Sequence, residues 1–74
     1  MLENIQKGDI CIFQNGEEAI VTSYIINFAK ENTIKLFFNH AVCGKGNNVS
    51  EDWNYHINGT WLGGGNNIAK VIHQ

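Results

Sequence analysis

The sequence predicts an all-β domain, a small barrel or curled antiparallel sheet of five to six short strands, and three observations carry that expectation. Short apolar runs recur along the chain, rich in the β-branched and aromatic residues that suit a pleated surface. Between them stand Asn-Gly pairs and clusters of glycine and asparagine, which accept positive φ and so punctuate hairpins. The chain contains no proline, so nothing bars these runs from pairing.

Taken in order, Ile10-Cys11-Ile12-Phe13 follows Lys7-Gly8-Asp9 and stops at Gln14-Asn15-Gly16, a strand meeting a tight turn. The return strand begins near Glu18 and runs through Ala19-Ile20-Val21-Thr22-Ser23-Tyr24-Ile25-Ile26, long enough to bend and serve two faces. After the polar stretch Ala29-Lys30-Glu31-Asn32, the segment Thr33 to Phe38 puts Ile34, Leu36 and Phe38 on one face. A helix over residues 25–35 competes with this reading, because Phe28, Ala29 and Leu36 partly fit a helical stripe. Ala41 to Ser50 reads as the longest loop, built on Gly44, Lys45, Gly46, Asn47 and Asn48. Trp53-Asn54-Tyr55-His56-Ile57 alternates, and Asn58-Gly59 signals a hairpin before Thr60-Trp61-Leu62. Gly63-Gly64-Gly65-Asn66-Asn67 interrupts the sheet, and Ile68 to Ile72 forms its last strand. No repeat or linker divides the chain, so residues 1–74 are read as one domain.

A domain of 74 residues buries only about 60% of its unfolded surface, which makes a deep catalytic cleft hard to support. The expectation is a protein that binds and is not an enzyme. A hydrophobic fraction of 43% with 16% charged residues marks a folded chain. Five lysines, seven acidic residues and no arginine argue against duplex DNA, because the guanidinium fork is the usual reader of phosphates and guanine edges. The lysines are scattered and form no basic stripe. No apolar run reaches the roughly 20 residues of a membrane helix. Met1 to Asp9 is polar and unlike a signal peptide; a cytoplasmic, reducing location follows, with no disulfide between Cys11 and Cys43. The sequons Asn48-Val49-Ser50 and Asn58-Gly59-Thr60 are then chance matches.

Three histidines and two cysteines fall at none of the usual ligand spacings, so no metal site and no cofactor is expected. His40 and His56 read as ordinary sheet residues and His73 as a frayed terminus. Cys43 has His40 three positions before it, yet residues three apart on a strand point to opposite faces, so no catalytic residue is assigned. Gly44-x-Gly46 and Gly63-Gly64-Gly65 lack the Lys-Ser/Thr ending of a phosphate loop. Three consecutive glycines carry an entropic cost, and close approach of a ligand or neighbouring subunit is one reason to keep them.

Trp53, Tyr55 and Trp61 crowd into nine residues across the second predicted hairpin. Trp53, Tyr55 and Ile57 share a face by the period of two, and Trp61 can stand across from them or diagonal to them. That face has the most apolar company, so Trp53 is expected in the core, where truncation to Ala unfolds the protein. Trp61, beside the glycine loop, is expected to be a contact whose loss spares the fold. The candidate binding residues are Trp61, Tyr55, Trp53, Lys45, Asn47, Asn48, Gly64 and Asn66.

Two patches carry a family resemblance. Lys7-Gly8-Asp9-Ile10 with Asn15-Gly16 resembles the start of SH3-like barrels, where a Gly-Asp pair precedes the first strand. Trp53-Asn54-Tyr55-His56-Ile57-Asn58-Gly59-Thr60-Trp61 followed by Ile68-Ala69-Lys70-Val71-Ile72 is similar to the tail of small bacteriophage-encoded β proteins. Together the patches span half the chain. The resemblance implies a phage or mobile-element accessory protein, of the kind that blocks host defence by binding a host protein or by sequestering a nucleotide signal. That family pattern has an acidic residue in the loop before the final strand; Asn66 and Asn67 stand there instead, so no ligand-binding residue carries over.

The leading expectation is a protein that inhibits or modulates a host protein through an aromatic, asparagine-rich surface, as a homo-oligomer because small sheets expose their edges. A sponge for a small nucleotide, with Lys45 or Lys70 neutralising phosphate, is the alternative. A single-stranded nucleic-acid binder, stacking bases on the same rings, is the third.

Overall fold

The computed structural model describes residues 1–41 and 48–74, and the side chains of residues 1–39 and 50–74. Its strands are β1 (Ile10–Phe13), β2 (Glu18–Ile26), β3 (Thr33–Ala41), β4 (Asn48–His56) and β5 (Ile68–Ile72). All pair antiparallel in one sheet of order β4-β3-β2-β1-β5. The chain meanders through four strands, and the fifth returns to flank β1. Of the two predicted forms it is the curled, unclosed sheet that is present, with β4 and β5 at its edges. No helix occurs among the described residues, and none is long and apolar enough to cross a membrane.

The helical alternative for residues 25–35 fails for a local reason. Asn27 and Asn32 both take φ of 58°, a left-handed conformation that asparagine tolerates better than most residues and that stops a right-handed helix. The turn closes when Asn27 N–H donates to Thr33 C=O at 2.8 Å and Asn32 N–H donates to Asn27 Oδ1 at 3.1 Å. Thr33, wholly buried, donates its hydroxyl to Lys30 C=O at 2.6 Å.

The bend expected in β2 is a bulge. Register against β3 shifts between Val21 and Ser23, and Thr22 donates its hydroxyl to Phe37 C=O at 3.2 Å. One extra residue breaks the alternation, so Val21 and Tyr24 pair with Phe38 and Leu36 and both face the core. On the other face, Ile20 and Ile25 stay exposed.

Ile34, Leu36 and Phe38 are buried together as the alternation predicts. Around them Phe13, Phe38 and Tyr55 form an aromatic triad, Phe13 and Phe38 edge-to-face at 5.7 Å and Phe38 and Tyr55 at 6.1 Å. The N-terminal segment departs from its polar reading: Leu2 and Ile5 belong to this core, and Leu2 N–H donates to Ile57 C=O at 2.8 Å. Cys11 is fully buried, and burial first, then the nearby Asp9 carboxylate, pushes its thiol up to about 12.

The Gly-Asp pair before β1 has a structural explanation. Asp9 is 1% exposed and accepts hydrogen bonds from the N–H groups of Gln6 (2.8 Å) and Gln74 (3.1 Å). His73 Nδ1 lies 2.8 Å from its Oδ2. Burial alone raises the carboxyl's pKa, but these bonds outweigh it and leave Asp9 below its ordinary value. His73 is therefore not frayed: it ties the C-terminal end of the described chain to the start of β1.

Two boundaries also move. Ala41 and residues 48–50, read as part of the loop, belong to β3 and β4, which pair from Phe37↔Asp52 to Ala41↔Asn48; an edge strand with one solvated face tolerates asparagine, serine and aspartate. Thr60 to Leu62 is not a sixth strand. It makes one bridge, Tyr55↔Trp61, flanked by His56 N–H donating to Thr60 C=O and Leu62 N–H to Asn54 C=O.

Candidate functional site

The short return at residues 60–62 covers only the C-terminal end of β4, and a recess opens where that cover meets the sheet. Tyr55 on β4 stands directly across from Trp61, so both rings face the same side. Trp53 and Glu51 precede Tyr55 by two and four residues on that face. Phe13 at the end of β1 and Glu17 just past the Asn15-Gly16 turn approach from the other side. Together with Asn66 these residues line a pocket of about 190 Å³.

Its depth is set by the rings. Tyr55 is 3% exposed and packs against Phe13 at 6.5 Å. Burial drives its phenol far above the ordinary range, so its hydroxyl stays protonated. The indoles of Trp53 and Trp61 meet edge-to-face, centroids 4.9 Å apart with planes at 86°, the arrangement the ring quadrupole favours.

The burial order expected for the two tryptophans is reversed. Trp53 is 38% exposed although it pairs with the fully buried Leu36, because β4 is the edge strand and no strand among the described residues covers its outer side. Trp61 is half-buried and packs against the core. Its backbone N–H donates to Asn67 Oδ1 at 3.0 Å.

The glycine run finds its close neighbour inside the protein. A Cβ built on Gly63 would lie 2.5 to 2.9 Å from three atoms of the Trp61 ring, and one on Gly65 would touch it at 3.4 Å. Gly64, singled out in the sequence, meets nothing within 4 Å and takes φ of +75°; it turns the loop and does not line the pocket. Asn66 does line it, while its Oδ1 accepts the Asn15 N–H at 3.1 Å. Asn67 C=O accepts the Gln14 N–H at 2.9 Å. The glycine loop is thus tied to the β1–β2 turn.

Of the residues chosen from sequence, Trp53, Tyr55, Trp61 and Asn66 converge. Lys45 and Asn47 lie outside the described residues, as does the side chain of Asn48, whose backbone belongs to β4. Sequence reasoning missed Phe13, Glu17 and Glu51. Glu51 was accessible through the same alternation that joins Trp53 to Tyr55; Glu17 and Phe13 come near only because β1 and β4 curl toward each other.

Two carboxylates, Glu17 and Glu51, are among the lining groups. Trp53 Nε1–H donates to Glu51 Oε2 at 3.2 Å, and Asn15 Nδ2–H donates to Glu17 Oε1 at 2.6 Å; both carboxylates are thereby oriented. A second, wider depression of about 550 Å³ includes Leu2, Ile5, Tyr24, Ile26, Ile34 and Ile57 among its walls, and its aromatic content is a single tyrosine. No group of three or more histidine, cysteine or acidic side chains placed to hold a metal occurs among the described residues. The chain matches no family model, no curated protein and no solved structure.

Proposed function

We propose that this is a non-enzymatic binding protein, a phage or mobile-element accessory protein that inhibits or modulates a host protein by docking on it through the Trp53–Trp61 pocket. The observation that carries the reading is the position of Trp53. A large indole stands 38% exposed at a sheet edge, against a second indole and over a buried tyrosine. Tryptophan in a pocket of this kind dominates the energy of protein interfaces, because it offers much apolar area at little entropic cost. The phage origin, and with it the host cytoplasm as its place of action, rest on the sequence resemblance.

The nucleotide reading draws less support from this geometry. Lys70, one of the two lysines that reading sets against phosphate, does not line the pocket. Self-association is supported by the exposed Ile20, Ile25, Ile26 and Phe28 and by the unpaired outer edge of β5.

The test is a comparison. Immobilised protein should retain a partner from host lysate that immobilised Trp53→Ala, folded by circular dichroism, does not. Retention of the same partner by both moves the docking surface away from the pocket.

A further inference from the structure

We infer that this chain forms a twofold dimer by stacking the solvent side of its sheet, centred on β1, against the same face of a second copy. The inference takes the self-association proposed above and assigns it a surface and an arrangement; it is independent of the Trp53–Trp61 pocket.

Strand register sets two rows of side chains across the middle of that face. Cys11 and Ala19 are buried in the core and Val71 packs against it, so Ile10, Ile12, Glu18, Ile20, Lys70 and Ile72 point the opposite way. Across β5, β1 and β2 one row runs Ile72–Ile10–Ile20 and the next Lys70–Ile12–Glu18. Ile20 is 49% exposed, and Glu18 and Lys70 are exposed beside it. Neither of those two charges forms a salt bridge among the described residues. Farther along the same face, Lys35 is already neutralised by Asp52 at 3.2 Å. The patch is thus four isoleucines flanked by one open cation and one open anion.

This pattern is complementary to itself. A twofold axis running along β1 between two facing copies exchanges what stands to the left of that strand with what stands to its right. Lys70 then meets Glu18 of the second copy and Glu18 meets its Lys70, Ile72 meets Ile20, and Ile10 and Ile12 each meet their own counterparts. Aligned sheets stack about 10 Å apart, which lets the isoleucines interdigitate and the two ion pairs close at the rim. The neighbouring axes fail on charge: one along β2 sets Glu18 against Glu18 and Ile10 against Asn39, and one along β5 sets Lys70 against Lys70. Pairing through the outer edge of β5 is the poorer route. That strand is five residues long, its register shifts between Ile12 and Phe13, and Lys70 stands at its centre, all features that blunt an edge. A face of three strands is small, so the dimer is a weak one.

Analytical ultracentrifugation of the intact protein from about 10 µM to about 1 mM spans the range of weak interfaces, and wild type should pass from monomer to dimer within it. Lys70→Glu and Glu18→Lys, each melting as wild type does in dilute solution, should each associate at least about tenfold more weakly, because either change puts like charges into both rim contacts. Mixed in equal amounts, the two variants should associate within about threefold of wild type, since their heterodimer regains two opposite-charge contacts. Ile20→Lys, which leaves the edge of β5 untouched, should stay monomeric. A mixture no more associated than its separate components, or an Ile20→Lys variant that still dimerises, overturns this face and leaves self-association to another surface. Wild type that remains monomeric at about 1 mM overturns the face and self-association together, and the docking role of Trp53 stands or falls on its own test.

Discussion

Gly63→Ala is the sharpest probe of how the pocket is built, because its effect should change sign with one other residue. Gly63 does not occupy the positive-φ region, so alanine meets no backbone strain there. The obstacle is the Trp61 ring: the new Cβ would sit 2.5 Å from Cζ2, 2.7 Å from Cε2 and 2.9 Å from Cη2. These atoms belong to a rigid bicycle wedged against Trp53 and the core, and it cannot swing away as the tip of a lysine could. Overpacking of this kind costs about 1–3 kcal/mol. For a domain of this size that is a fall in melting temperature of roughly 4 to 24 °C. In a Trp61→Ala background the clash is gone, and alanine restricts only the unfolded chain, so the same change should be neutral or stabilising by about 0.4–1 kcal/mol. Thermal and urea unfolding of the four proteins in this cycle measures the coupling directly. A cost of Gly63→Ala that is the same with and without Trp61 would refute the packing argument.

The other expectations concern depth, charge and reactivity. Tyr55→Ala should cost about 3–5 kcal/mol, as removal of a buried ring in the core triad does; Trp53→Ala should cost about 1–2 kcal/mol and stay folded. Chemical denaturation that ranks Trp53 above Tyr55 would contradict the burial order. Asp9→Asn should destabilise by about 1–3 kcal/mol near neutral pH, since the N–H groups of Gln6 and Gln74 lose a charged acceptor. The native pKa of Asp9 lies below its ordinary 3.8, so the carboxylate's contribution is fully present above that value and is lost as pH falls through the native pKa. The gap between wild type and variant should therefore be constant above about pH 5 and narrow in stronger acid; a gap independent of pH refutes the linkage. With its thiol raised to about 12 and no exposed surface, Cys11 in a Cys43→Ser background should react with a disulfide reagent at pH 8 only as fast as the protein opens. Labelling at the rate of a free thiol would show that the site is accessible.

The sequence by itself determined what repeats locally. The β-branched runs, the Asn-Gly turns after β1 and after β4, and the shared burial of Ile34, Leu36 and Phe38 all follow from backbone preferences and a period of two. The alternation was enough to put Trp53 with Tyr55, and it extends to Glu51. Tertiary structure alone decided how deep each of those side chains sits. Periodicity says which face a residue takes, but not how far that position lies from the sheet edge, so Trp53 on edge strand β4 is exposed while Tyr55, two residues on and under the 60–62 return, is buried. The same limit hid Leu2 and Ile5, isolated apolar residues in a polar segment that enter the core only because the folded sheet leaves its end open to them. It also hid the carboxylate of Asp9 holding the chain near His73, and Glu17 reaching the aromatic pocket. Those contacts join segments far apart in the chain, and only the curl of the sheet brings them together.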